Sequence, residues 1–294
     1  MACSSSTAHL AARGSERDGL ASQPVPFVHN KRLRRLARTI PGLQTAHGFV
    51  LTRLLIRRGV AELDYPGARI QIRANTKAIV HSRIRPVAKE PWTVRWIENN
   101  LRDGDVLYDI GANVGAYSLI AARTGLRDLA IVAIEPGYAN YASLCENIVL
   151  NGVGETVTAL PVVLAERNRL GFFSYGDVSA GAALHSLDAA ESRAYRQPVL
   201  VYSLDGLIRT FGLPAPTLVK LDVDGAEESV LAGARETLRR PELRSVLVEI
   251  ETATGDAVVS ELEAAGFVRS ERIDDRFGTP LPGIWYGIFD RSPG

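Results

Sequence analysis

The stretch Val106-Leu-Tyr-Asp-Ile-Gly-Ala-Asn-Val-Gly-Ala116 constrains this chain most. An apolar run leads into Asp109, a glycine-rich turn follows, and a helical pattern begins at once. Gly111 permits the tight turn, and Gly115 opens the helix with no side chain in the way. The next apolar run, I-V-A-I-E-P, ends on Glu135, 20 residues after Gly115. A carboxylate placed there can accept hydrogen bonds from both hydroxyls of a ribose. The constellation predicts a site for an adenosine-bearing cofactor.

The turn also discriminates among cofactors. A dinucleotide loop needs G-x-G-x-x-G, so that bare backbone faces the pyrophosphate. Here the three positions are Gly111, Asn113 and Ala116. The Asn113 side chain leaves less room for a pyrophosphate but suits a smaller group, such as an amino-acid carboxylate. S-adenosylmethionine has a ribose, an adenine and a methionine end, and no phosphate.

From residue 105 onward, apolar runs at 105–110, 129–134, 157–164, 199–203, 217–222 and 245–250 alternate with helical patterns at 115–124, 138–150, 204–211 and 226–239. Short strands separated by helices predict an α/β domain over 105–294, with a mostly parallel sheet covered on both faces. Two strands within 266–289, joined around G-T-P-L-P-G, predict a C-terminal antiparallel addition. Ahead of this domain, residues 1–26 have no periodicity and are expected to be a disordered tail. Residues 27–104 are expected to form a basic helical N-terminal extension with a short strand near 68–74. Pro91 is placed to start a helix carrying Trp92, Val94, Trp96 and Ile97.

The net charge of +1 hides an asymmetry. Residues 1–104 hold 18 Lys and Arg against 7 Asp and Glu, an excess of +11; residues 105–294 hold 16 against 26, a deficit of −10. This balance argues against a nucleic-acid coat protein and against a wholly acidic disordered chain. Two cysteines, Cys3 and Cys145, supply no disulfide framework and no Cys-based metal site, as in a reducing compartment. With no signal-peptide pattern and no apolar run of membrane-spanning length, the expectation is a soluble cytoplasmic protein.

Six segments in order carry a family resemblance: D-I-G-A-N-V-G-A-Y-S, I-E-P, L-C-E-N-I-V-L-N, S-L-D-G-L, V-K-L-D-V-D-G-A-E-E-S-V-L-A-G-A and V-E-I-E. The chain resembles the FkbM-type methyltransferases over about residues 90–251. The resemblance implies a Rossmann-like methyltransferase fold, S-adenosylmethionine as cofactor, and O-methylation of natural products or glycans. It implies cofactor roles for Asp109, Gly111, Asn113, Gly115, Glu135 and Pro136, and puts Ala165 and Glu166 near the adenine. Asn147 and Asn151 match the family's paired asparagines, although Asn151-Gly152 is also a good helix ending. Asp224 stands where the family usually has Glu, which keeps the charge and shortens its reach.

Methyl transfer from a sulfonium requires a positioned acceptor and a place for its proton. Asp222 is the first choice for base or substrate contact, with Lys220 beside it; His185 is a second proton-transfer candidate. Asp222 and Asp224 could instead hold a divalent ion, a reading not favoured over a metal-free site. Asp224 and Glu227 read as helix-start acids. Glu249 and Glu251 end the last parallel strand and could line the acceptor site. The expected acceptor is a hydroxyl of a small natural product or sugar. The alternatives are N- or carboxyl-methylation, a nicotinamide-dependent oxidoreductase, and a non-catalytic binding module. The basic extension could cover the cofactor cleft, meet an acidic partner such as a carrier protein, or be solvated.

Overall fold

A computed structural model describes residues 43–175, 179–182, 186–187 and 195–292. The chain divides into two units, Met1–His47 and Gly48–Gly294. Of the first, only the opening residues of helix α1 (Leu43–Arg58) are described. In the second, β1 (Val60–Glu62) and β2 (Gln71–Arg73) form an antiparallel hairpin. Three short helices follow: α2 (Lys77–Ser82), α3 (Pro86–Lys89) and α4 (Pro91–Asn100). The expected tail and the whole basic stretch at 31–38 lie outside the described residues.

The main body then runs β3 (Val106–Ile110), α5 (Ala116–Ala122), β4 (Ala130–Ile134), α6 (Tyr138–Asn151), β5 (Val157–Leu160), β6 (Val163–Leu164), β7 (Arg169–Tyr175), β8 (Ser186–Leu187), β9 (Tyr195–Tyr202), α7 (Leu204–Phe211), β10 (Leu218–Leu221), α8 (Glu227–Ala232), α9 (Arg235–Leu238), β11 (Ser245–Glu251), α10 (Gly255–Ala264), β12 (Phe267–Ile273), β13 (Asp275–Arg276), β14 (Thr279–Pro280) and β15 (Ile284–Arg291). Seven strands form one sheet in the order β12-β15-β11-β10-β3-β4-β5. The five strands from β11 to β5 are parallel. β15 pairs antiparallel with both β11 and β12, so the C-terminal hairpin adds two antiparallel strands at one edge.

Successive side chains of the central strands enter two different cores, as the period of two requires. Leu107, Ile131, Ala133 and Leu247 pack with α4, α5 and α6 on one face. Tyr108, Val132, Ile134 and Val246 pack with α7, α8 and α10 on the other. The first core also contains Ile70, Ile72, Ile79, Trp92, Trp96 and Ile97, so residues 60–101 share a core with the parallel sheet. Trp96 Nε1 donates to Ser245 Oγ at 2.8 Å, and the Trp92 and Tyr286 rings lie 5.0 Å apart.

One strand expectation needs correction. The run at 199–203 belongs to β9, and the end of the run at 157–164 to β6; neither strand is in the parallel sheet. They join a second sheet, ordered β6-β9-β7-β8, in which β7 pairs antiparallel with β9. V-L-V-Y reads as a continuous apolar run, yet Val199 and Val201 are buried while Leu200 is 55% exposed. That alternation marks a strand with one wet face.

Candidate active site

The C-terminal ends of β3, β4, β6, β10 and β11 surround a cavity of about 460 Å³, a size suited to a small-molecule ligand. Its wall includes Gly111, Asn113, Glu135, Pro136, Ala165, Asp222 and Glu249.

The glycine-rich turn is fixed by its neighbours. Gly111 has φ +82°, and a Cβ there would lie 1.7 Å from the Asp222 carbonyl oxygen, so only glycine fits where the turn crosses the end of β10. The N–H groups of Gly111 and Ala112 both donate to the Ile134 carbonyl, at 2.9 and 3.0 Å. Asn113 takes a left-handed φ of +51°, which asparagine tolerates better than most residues. Its side chain accepts from Val114 N–H at 3.0 Å and donates to the Ala182 carbonyl at 2.9 Å, tying the turn to a neighbouring loop. Gly115, at the start of α5 with φ +86°, makes room for Leu144 rather than lining the cavity.

Glu135 is 5% exposed. Its carboxylate accepts from the backbone N–H groups of Asn113 (2.9 Å) and Gly137 (2.8 Å), with Asn140 Nδ2 at 3.5 Å. Burial outweighs these bonds and pushes the carboxyl up to about 7. A carboxylate offers about four lone-pair directions, so acceptor capacity remains for a ligand in the cavity. The Pro136 carbonyl accepts from Gln197 Nε2 at 3.2 Å.

Other expected site residues lie behind the wall or beside it. Asp109 is buried; one oxygen accepts from Ser118 Oγ at 2.6 Å and the other faces Lys220 Nζ at 3.5 Å. Lys220, 2% exposed, stands between Asp109 and Asp222, 3.0 Å from the latter. Burial opposes its charge, but Asp222, Asp109 and Glu90 together hold it above the ordinary lysine range. Burial likewise raises Asp222, and Lys220, Lys89 and Arg83 overcome it, holding Asp222 below the usual carboxylate range. Ala165 lines the cavity; the Glu166 side chain instead lies exposed, 3.0 Å from Arg167. His185 lies outside the described residues.

The opposite wall carries Glu249 at the end of β11. Tyr286, its antiparallel partner on β15, donates its hydroxyl to Glu249 Oε2. Burial, and then the charge of Asp222, push the Glu249 carboxyl up to about 8. Glu227 Oε1 accepts from Val223 and Gly225 N–H, but the helix starts later than the D-x-x-E pattern suggests: its N-cap is Ala226, with no side-chain cap, and Asp224 sits in the turn ahead of it at φ +53°. Among the described residues no three His, Cys, Asp or Glu side chains converge as a metal set.

Two charged residues of the wall escaped the sequence reading: Arg83, which ends α2, and Lys89 in α3. Nothing in a run of basic residues marks those two apart from their neighbours. The paired asparagines act through backbone. Asn147 accepts from Arg73 N–H (2.7 Å) and donates to the Val114 carbonyl (2.8 Å); Asn151 accepts from Gln71 N–H (2.9 Å) and donates to the Gln71 carbonyl (2.6 Å). They dock β2 onto α6 and onto the glycine-rich turn.

A doubly wound sheet with a glycine turn after one strand, an acidic residue after the next and a cleft at the strand ends has the form of a cofactor-dependent α/β enzyme. Residues 109–269 match the model of the methyltransferase FkbM domain. That is more than half of the chain, which therefore belongs to this family of methyltransferases. A hexuronic acid methyltransferase, AglP, of Haloferax volcanii is 27% identical over 186 residues, covering 61% of this chain and 70% of the relative. The 31-O-demethyl-FK506 methyltransferase FkbM of Streptomyces tacrolimicus is 29% identical over 211 residues, covering 62% and 80%. The crystal structure of a methyltransferase FkbM from Methylobacillus flagellatus aligns with a TM-score of 0.44 at 15% identity, covering 83% of this chain and 59% of that one. Among the described residues no helix is long and apolar enough to cross a membrane.

Proposed function

We propose that this protein transfers a methyl group from S-adenosylmethionine to a hydroxyl of a small natural product or sugar. The observation that carries the cofactor reading is Glu135, buried at the cavity wall beside the Gly111–Asn113 turn, with acceptor capacity left for a ribose. The name of the FkbM relative supports an oxygen acceptor, and that of AglP a sugar acid as a substrate class.

The cofactor supplies an activated methyl group on a cationic sulfur. The chain supplies binding, orientation and proton handling. Glu135 holds the ribose hydroxyls, the Gly111–Asn113 turn holds the amino-acid end, and Leu164 and Ala165 give the adenine an apolar wall. An alcohol oxygen becomes a good nucleophile as its proton leaves. Two carboxylates on the wall compete for that proton. Asp222, the base expected from the sequence, is kept ionised by Lys220 and has little affinity for a proton. Glu249, pushed up by burial, has more, and is the better proton acceptor. Asp222 then orients the acceptor, and the Asp109–Lys220–Asp222 chain keeps its charge in place.

The test is incubation with S-adenosylmethionine and a panel of hexuronic acids, simple sugars and hydroxylated macrolides, read by mass spectrometry. A product heavier by one methyl group, with the methyl on oxygen, supports the reading. Methylation confined to amines or carboxylates would overturn the acceptor assignment.

A further inference from the structure

Two cations stand on the cavity wall among the acidic groups, and they differ in what they already hold. Lys89 Nζ lies 2.6 Å from the buried carboxylate of Glu90 and is neutralised there. Arg83 donates from Nε to the Gly181 carbonyl at 3.1 Å. Among the described residues no carboxylate lies within ion-pair distance of its guanidinium. Its charge acts on Glu135 and Asp222 from a distance, favouring the ionised form of each. An arginine carries five N–H donors in a rigid fork that matches a carboxylate. Among the described residues Arg83 is thus anchored through Nε on a backbone carbonyl and presents its remaining donors without a paired anion.

The position of Arg83 selects the anion. It lines the main cavity and also a narrow annex, which it shares with Lys89, Lys220, Asp222, Tyr117 and the turn from Gly111 to Val114. The annex therefore lies at the glycine-rich turn, away from β11 and Glu249. We infer that Arg83 pairs with the carboxylate at the amino-acid end of S-adenosylmethionine, so that the N-terminal extension completes the cofactor site. The inference rests on the cofactor reading above. It gives one residue of the basic extension a defined ligand, although Arg83 lies outside the span that matches the family. Asparagine docking of β2 onto the same turn ties that extension to the site from a second direction.

Calorimetry with S-adenosylmethionine and with decarboxylated S-adenosylmethionine, which lacks only that carboxylate, tests it on the full chain. Arg83→Ala is expected to weaken S-adenosylmethionine binding roughly ten- to a hundredfold, the worth of a charge-assisted hydrogen-bonded pair. Binding of the decarboxylated compound should stay within about twofold of wild type, which also shows that the variant is folded. Arg83→Lys, which keeps the charge and loses the fork, should fall between, and carries the same comparison if the alanine variant does not fold. Equal loss for both compounds, or loss for neither, overturns the inference. If the wild-type chain binds neither compound, the cofactor reading itself falls, and this inference with it.

Discussion

The two ends of the cavity solve the problem of a buried carboxylate differently. At the β3–β4 end, Glu135 is held by backbone N–H groups of Asn113 and Gly137. At the β10–β11 end, Asp222 and Glu249 are held by side chains, Lys220 and Tyr286. Backbone donors are set by the fold and keep a carboxylate in one place. Side-chain partners set charge, and neighbouring groups of opposite effect drive two carboxylates on one wall apart in proton affinity. In the proposed function the first end holds the cofactor and the second handles the proton.

The most severe way to break this arrangement is at the seam between the ends. Gly111→Val places a branched side chain at φ +82° against the Asp222 carbonyl. It should cost more than about 4 kcal/mol in denaturant unfolding and abolish cofactor binding; an unchanged unfolding midpoint would refute the turn geometry. Glu249→Gln touches only the proton-handling end. Turnover should fall roughly a hundredfold or more, while S-adenosylmethionine affinity measured by calorimetry changes little.

The pH profile sharpens the same contrast. Glu249 accepts a proton only when ionised, and its carboxyl is raised to about 8. Asp222 and Glu90 face it and raise it, while Lys89 and the Tyr286 hydroxyl lower it. Turnover should therefore climb with pH and level off above about 8, and Glu249→Gln should lose that climb. A wild-type rate already flat from pH 6 upward, by about two units below that value, would assign the proton to another group. Glu135→Ala acts at the holding end, and affinity for S-adenosylmethionine should drop roughly tenfold or more; unchanged affinity would remove Glu135 from the ribose. The smallest effect is expected from Asn151→Ala, which loosens β2 from α6 at a cost of about 1–3 kcal/mol, read by thermal unfolding.

What the sequence made legible was local. Asp109, the Gly111 turn and Glu135 follow one another along a single strand–turn–helix–strand unit, and the unbroken apolar runs of β3 and β4 announce strands buried on both faces. The second sheet was hidden because Val199-Leu200-Val201 looks uniformly apolar, and only a packed structure reveals that Leu200 faces outward. Arg83 and Lys89 were hidden because a cavity wall gathers residues from distant parts of the chain, and no spacing rule links α2 to β11. The direction of the Glu166 side chain was hidden for a similar reason: the end of β6 is legible in the sequence, but not that the side chain beyond it turns outward to Arg167.

The proposed function requires that the cavity take S-adenosylmethionine and not a dinucleotide. Parallel calorimetric titrations of the full chain with S-adenosylmethionine and with NAD test it. One S-adenosylmethionine bound per chain and no heat from NAD are the expected result. Saturable NAD binding with no response to S-adenosylmethionine would contradict it.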